Sequence, residues 1–421
     1  MQKKSALWLG FLFALLLPLM AACAAGGGNS APDVTKPSGE MLYVLAGASG
    51  AGQQIVALHP GAAAPLVKLP VGITTLDHQR LYTAVAGSGT TTIMVYDTRT
   101  GARLHVFAIA GRYASDEEGY GNAVLSPDGR WLALRDLGSG ALQTTIAVVD
   151  TQTGKVAKLI KQPDDFTLDA ISPDGVTLYL LQQLHDAEHH YYVRDFDVAS
   201  GQLDPNIIVD KTDFEQEMAG QAVTRQTSGS VAHTLYLNPA EDKAFIHILP
   251  LEQGANFPFA RCIDLPGTGS LDVLASYTLS LAPNGTYLYA ANAVLGMVVK
   301  ISLNGQGVFD DNITLQQQFT PGSSVHAATL YNGSALSPDG KTLYVAGGDG
   351  IWAFDAQTLQ VAQHYLAGEA FSSVALSADG TSLYALDPAK GMLALNLASG
   401  QATQVTSAGL TAPVGIAWVS A

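Results

Sequence analysis

A short sentence is written again and again along this chain: "LSPDGRWLAL" from Leu125, "ISPDGVTLYL" from Ile171, "LAPNGTYLYA" from Leu281, "LSPDGKTLYV" from Leu336 and "LSADGTSLYA" from Leu376. A unit that returns every ~40–50 residues marks a repeat architecture, in which each unit buries its apolar face against its neighbours. In Ser-Pro-Asp-Gly, proline presets φ at the first central residue of a type I turn, aspartate suits the second, and glycine accepts the left-handed conformation that returns the chain to a sheet. A second recurrence, "DTRTG" at 97, "DTQTG" at 150 and "DVASG" at 197, places an aspartate where its carboxylate bonds nearby N–H groups while glycine closes a hairpin. Because these aspartates return at equivalent places, they read as turn chemistry and not as paired catalytic carboxylates.

The stretch 331–366 resolves into four runs of alternating polar and apolar residues joined by tight turns. That is one antiparallel meander, a blade of a radial ring. Second strands fall at Leu42-Tyr43, Leu81-Tyr82, Trp131-Leu132, Leu178-Tyr179, Ala244-Phe245, Leu288-Tyr289, Leu343-Tyr344 and Leu383-Tyr384, giving eight blades. Third strands agree, around Ile55, Met94, Ile146, Val193, Ala260, Val298, Ile351 and Leu393. Seven is the alternative count, with 221–270 then an insertion. The first unit lacks an opening strand, and "APVGIAWVSA" at the C-terminus is an opening strand with nothing after it. Val414–Val419 is therefore expected to join the sheet of residues 41–69, which closes the ring and removes exposed sheet edges.

With these residues in view, "LSPDGKTLYVAGG…DAQTL" and "LSPDGRWLAL…VVDTQTG" resemble the YVTN-type β-propeller repeats of many exported bacterial and archaeal proteins, over residues 41–420. The resemblance implies an all-β β-propeller of four-stranded blades; members commonly have seven. It specifies architecture and leaves function open, because the fold carries binding, scaffolding and hydrolytic proteins alike.

The N-terminal "MQKKSALWLGFLFALLLPLMAAC" sets Lys3 and Lys4 before an apolar run, the layout of an export signal. Its end, "LMAAC", resembles the lipobox of bacterial lipoproteins, which implies that Cys23 receives lipid and becomes the new N-terminus. The expected organisation is a signal peptide at 1–22, a flexible Gly- and Pro-containing tether at 23–40, and a single propeller domain at 41–421. The protein is expected to be exported and anchored to a membrane through this lipid alone, at the cell surface or in the periplasm. Cys262, the other of the two cysteines, lies in the strand-like "FPFARCIDLP" and reads as a small buried hydrophobe outside any disulfide. With 21 Lys+Arg against 36 Asp+Glu and a net charge of −15, nucleic acids and anionic surfaces are excluded as partners.

By antiparallel geometry the two kinds of short turn share one face of the ring. Longer connections, at 111–122, 184–192, 205–231, 250–259 and 320–333, are assigned to the opposite face, which makes that face the expected binding surface. Its candidate residues are Tyr113, Asp116, Glu117, Glu118, Tyr120, His185, Glu188, Phe214, Glu215, Glu252 and Phe257, with Tyr191 and Glu217 beside them. Acidic groups and aromatic anchors suit a cationic or carbohydrate-like ligand, or a protein partner. In "HDAEHH", His185, His189, His190 and Glu188 are metal-capable, but they fall in a loop where i, i+4 spacing aligns nothing, so no metal and no cofactor is expected. No G-x-S-x-G, H-E-x-x-H, Walker or C-x-x-C-H motif is present. The expected function is a monomeric binding or scaffolding module, whether for a small ligand or for other envelope proteins; the alternative is a lactonase-like or other hydrolase with its site at the central channel mouth.

Overall fold

Each aspartate of the repeated turn is a hydrogen-bond hub. The Ser126 hydroxyl donates to Asp128 Oδ1 at 2.5 Å, and the same oxygen accepts from the Arg130 N–H at 3.0 Å. Gly129 sits at φ +73°, and its N–H reaches the Ser126 carbonyl at 2.8 Å. The arrangement repeats at Ser172/Asp174, Ser337/Asp339 and Ser377/Asp379. It also occurs at Thr75/Asp77, where "TLDH" has neither Pro nor Gly and His78 takes the glycine's place at φ +53°.

The computed structural model describes residues 39–47, 52–62, 64–115, 121–186, 190–210, 216–252, 259–303, 312–320, 332–405 and 410–421. They belong to one unit, Lys36–Ala421, built as an eight-bladed β-propeller. The inner strands of blades 1 to 8 are Pro413–Ser420, Ile73–Thr74, Ala123–Leu125, Phe166–Ile171, Gln221–Thr227, Tyr277–Leu281, Ser334–Leu336 and Ser373–Leu376. Eight apolar clusters fill the gaps between neighbouring blades, one per gap. Among the described residues the single helix is the short Leu271–Leu274.

Ring closure follows the sequence expectation. Pro413–Ser420 pairs antiparallel with Met41–Ala46, Leu42 opposite Val419 and Tyr43 opposite Trp418. Arg99, in the "DTRTG" turn of blade 2, donates to the carbonyls of Gly39 and Ala421 and so ties both ends of the described chain. Glu40 accepts from the Ala378 N–H and the Tyr384 hydroxyl, which sets the start of the ring among the short turns.

Blade 5 departs from expectation by one strand. Its inner strand is Gln221–Thr227 and its second is Val231–Asn238, so Ala244-Phe245 belongs to the third strand, Lys243–Pro250, and Ala260 to the outer one, Phe259–Asp264. The cause is local: the first turn is Ser228-Gly229-Ser230, without Pro or Asp, and the polar run "QAVTRQT" carries none of the apolar alternation that marks a strand. The connection after Pro250 therefore joins third to fourth strand and lies on the short-turn face, where Leu251 shares a hollow with Leu76, Pro127 and Thr227. Glu252 goes with it, away from the face to which sequence assigned it.

The chain between blades 4 and 5 also stitches them together. After the outer pair Gln202–Leu203, Ile208 bridges to Val193 of blade 4. Val209–Asp210 then pairs in parallel with the outer strand of blade 5, and Met218–Ala219 returns to the start of blade 4's third strand, His190–Asp197.

Candidate functional site

Of the candidates from sequence, Cys23, Asp116, Glu117, Glu118, Tyr120, Glu188, Phe214, Glu215 and Phe257 lie outside the described residues. Tyr113 is 1% exposed and packs between blades 2 and 3, its N–H on Thr91 Oγ1 at 2.7 Å; it is a core residue and not a surface anchor. Tyr191 is likewise buried. His185 is half exposed at φ +57°, with Nε2 3.5 Å from Asp165, whose carboxylate also takes Arg135 at 2.7 Å. The structure brings none of these described residues together into one site.

The channel gives a sharper result. Among the described residues of the eight inner strands, Asp169 and Arg225 are the one acid and the one base, and they pair with each other across blades 4 and 5, at 2% and 12% side-chain exposure. Arg225 Nε also reaches Thr234 Oγ1 at 2.7 Å. A carboxylate fixed to a guanidinium in this way is committed to its partner, and a hydrolytic base would have to be released from it. Elsewhere the inner wall carries hydroxyls that satisfy one another, as Thr278 and Ser280 do with Ser334, each at 2.8 Å.

Register extends this pair into a row. Arg225, Thr234, His247 and Cys262 stand opposite one another on the four successive strands of blade 5. Cross-strand partners share a sheet face, so one polar line runs from channel to rim on the face turned to blade 4. The opposite face, with Leu235, Leu237, Ile246, Ile248 and Ile263, is apolar and packs on blade 6. His247 is fully buried, and burial holds its imidazole below the ordinary range and so neutral. Tyr191 and Tyr236 lie beside it, their phenols pushed well up by burial.

At the rim, the Cys262 N–H donates to Asp210 Oδ2 at 2.6 Å, and Cys262 is half-buried, not sealed in the core as sequence suggested. It borders an open groove of about 550 Å³ lined by His190, Glu217, Glu241, Lys243, Arg261 and Asp264 among others. Lys243 pairs with Glu241 at 2.9 Å and with Asp264 at 3.8 Å, and Tyr192 donates to Glu217 at 3.1 Å. Acids outnumber bases here, and hydrogen-bonding groups of both kinds face the opening. Sequence reasoning named Glu217 and His190 but missed Glu241, Lys243, Arg261 and Asp264, which sit on and between the outer strands of a blade whose turn signals are absent.

No protein-family model matches the chain, and no curated protein matches it. Solved structures do. Apo AztD from Citrobacter koseri aligns with a TM-score of 0.56 and 13% identity over 90% of this chain and 98% of its own. The Cps50 (Swd1) β-propeller domain from Myceliophteria thermophila aligns at 0.41 and 12% over 80% and 99%. A protein described as a candidate 6-phosphogluconolactonase from Bacteroides fragilis aligns at 0.41 and 14% over 83% and 99%. At 13% identity the likeness to AztD speaks to the fold alone.

Proposed function

We propose that this protein is an extracytoplasmic β-propeller of YVTN type, lipid-anchored at Cys23, that acts as a binding module and takes a polar ligand of saccharide size in the groove beside blade 5. The carrying observation is the groove itself: about 550 Å³ of open space with acids, bases and a histidine around it, at the one place where the described blades break their regular pattern. Sugar-like ligands are held by just such convergent donors and acceptors. The anchor reading rests on "LMAAC"; Gly39 and Glu40, where the described residues begin, lie among the short turns.

Titration of an oligosaccharide panel against the wild type and an Asp264→Ala/Glu241→Ala variant tests the reading. Binding that the variant loses while its melting temperature holds supports it. Equal binding by both proteins, or none across the panel, contradicts it. Membrane fractionation of Cys23→Ala tests the anchor separately: the variant is expected in the soluble fraction, and unchanged fractionation would refute lipidation.

A further inference from the structure

The interface between blades 4 and 5 contains four polar atoms that its own side chains do not satisfy. Asp169 Oδ2, Tyr191 OH, Tyr236 OH and His247 Nε2 are buried and none meets a partner in full hydrogen-bond geometry among the described residues, the Tyr191 and Tyr236 hydroxyls being near enough to act on each other. They belong to one neighbourhood: the Tyr236 ring is 6.1 Å from Tyr191 and edge-on to His247 at 5.9 Å, and Asp169 acts electrostatically on all three. Between blades 6 and 7, by contrast, the hydroxyls of Thr278, Ser280 and Ser334 bond directly to one another.

The fold aims Asp169 at this spot. The pairing of blade 4's first two strands slips between Leu168 and Ala170, leaving Asp169 as the extra residue of a bulge. Bulges re-aim side chains, and here the carboxylate gives Oδ1 to Arg225 while Oδ2 is left over. Buried polar groups in folded proteins are almost always paired, with ordered water where protein partners fail.

We propose that the blade 4–blade 5 interface is an internal water-binding site, in which ordered water bridges Asp169, Tyr191, Tyr236 and His247. The inventory favours water over other small ligands. Burial keeps both phenols neutral, so each brings an O–H to donate; the carboxylate oxygen accepts, and a neutral imidazole accepts at Nε2 when its proton is on Nδ1. Two donors and two acceptors are the complement of one water molecule. A metal cation would face the phenol hydrogens, and an apolar molecule would leave all four groups unmet. The site lies midway along a polar row whose inner end, Arg225, borders the channel-side hollow and whose outer end, Cys262, borders the groove.

A crystal structure at a resolution that places ordered solvent tests this directly. The expected result is a density peak within hydrogen-bond reach of at least three of the four atoms. A dry interface in which these side chains bond directly to one another overturns the proposal. Oxygen-17 relaxation dispersion gives a solution measurement: the wild type should show a long-lived internal water contribution that falls in the Tyr191→Phe/Tyr236→Phe variant, and an unchanged dispersion in that variant would also overturn it. Should the double variant fail to fold, Tyr236→Phe alone carries the same comparison, with a smaller loss expected. Neither measurement depends on the ligand assigned to the groove.

Discussion

Tyr43 and Trp418 stack at 4.4 Å between ring centroids with 19° between their planes, and His78 stacks on the same indole at 4.9 Å. The first complete strand of the chain and the last thus meet through one aromatic cluster, reinforced by Arg99 on both termini of the ring. Trp418→Ala should cost about 3–5 kcal/mol, in the range of large aromatic deletions from cores. Urea denaturation followed by tryptophan-independent circular dichroism measures it, and a midpoint within error of wild type would contradict the closure.

Glycine positions of equal φ should differ in tolerance. Gly340 and Gly175 both lie near φ +70°, but a Cβ on Gly340 meets nothing closer than 4.0 Å, whereas one on Gly175 would sit 2.5 Å from the Trp131 ring. Gly340→Val should cost about 1–3 kcal/mol from backbone strain alone. Gly175→Val should cost distinctly more, and thermal melts of the pair giving the reverse order would refute the turn geometry.

The Asp169–Arg225 pair should be costly to break and cheap to replace. Asp169→Ala leaves a buried guanidinium uncompensated, with an expected loss of about 3–5 kcal/mol. The double change Asp169→Leu/Arg225→Met should recover much of it, because removing both charges removes both desolvation penalties. Chemical denaturation of the single and double variants is the check, and additive losses would show that the two residues do not interact.

Protonation sets a pH profile of known sign. Burial lowers the pKa of His78, His247 and His233, the last to about 4. Their stabilisation is complete above the unfolded value of 6.5 and is lost as pH falls toward 4. Asp195 runs the other way: burial, then the charge of Asp204, raises it to about 6, so its ionisation opposes folding above that pH. The turn aspartates Asp174 and Asp339, lowered first by their serine hydroxyls, add stability that disappears below 3.8. Stability should therefore decline from pH 6.5 to 4 and fall further below. Asp195→Asn should stabilise at pH 8 by about 1 kcal/mol, discounted for partial exposure, and not at pH 4. Melts at both pH values test this; a gain confined to pH 4 would invert the assignment.

Blade number, strand order and closure were readable because they are written in backbone chemistry: Pro-Asp-Gly at the turns, strict alternation in Leu343-Tyr344 and its equivalents, and an orphan strand at the C-terminus. Blade 5 was misread where that chemistry is missing, since Ser228-Gly229-Ser230 announces no standard turn and the Gln221–Thr227 strand is polar for the sake of Asp169 and Thr234, partners visible only in three dimensions. Most of the groove escaped notice for the same reason, with Glu217 and His190 the members that sequence had named. Loop residues such as Glu252 were legible as exposed acids, but their face depends on a strand count that the local sequence does not carry.

Hydrogen–deuterium exchange, recorded with and without whichever oligosaccharide the panel identifies, bears most directly on the claim that this propeller works through the break beside blade 5. Added protection confined to 238–243 and 259–264 is the predicted result. Protection confined to the inner strands around Asp169 and Arg225, with those two segments unchanged, would move the site to the channel and contradict the account.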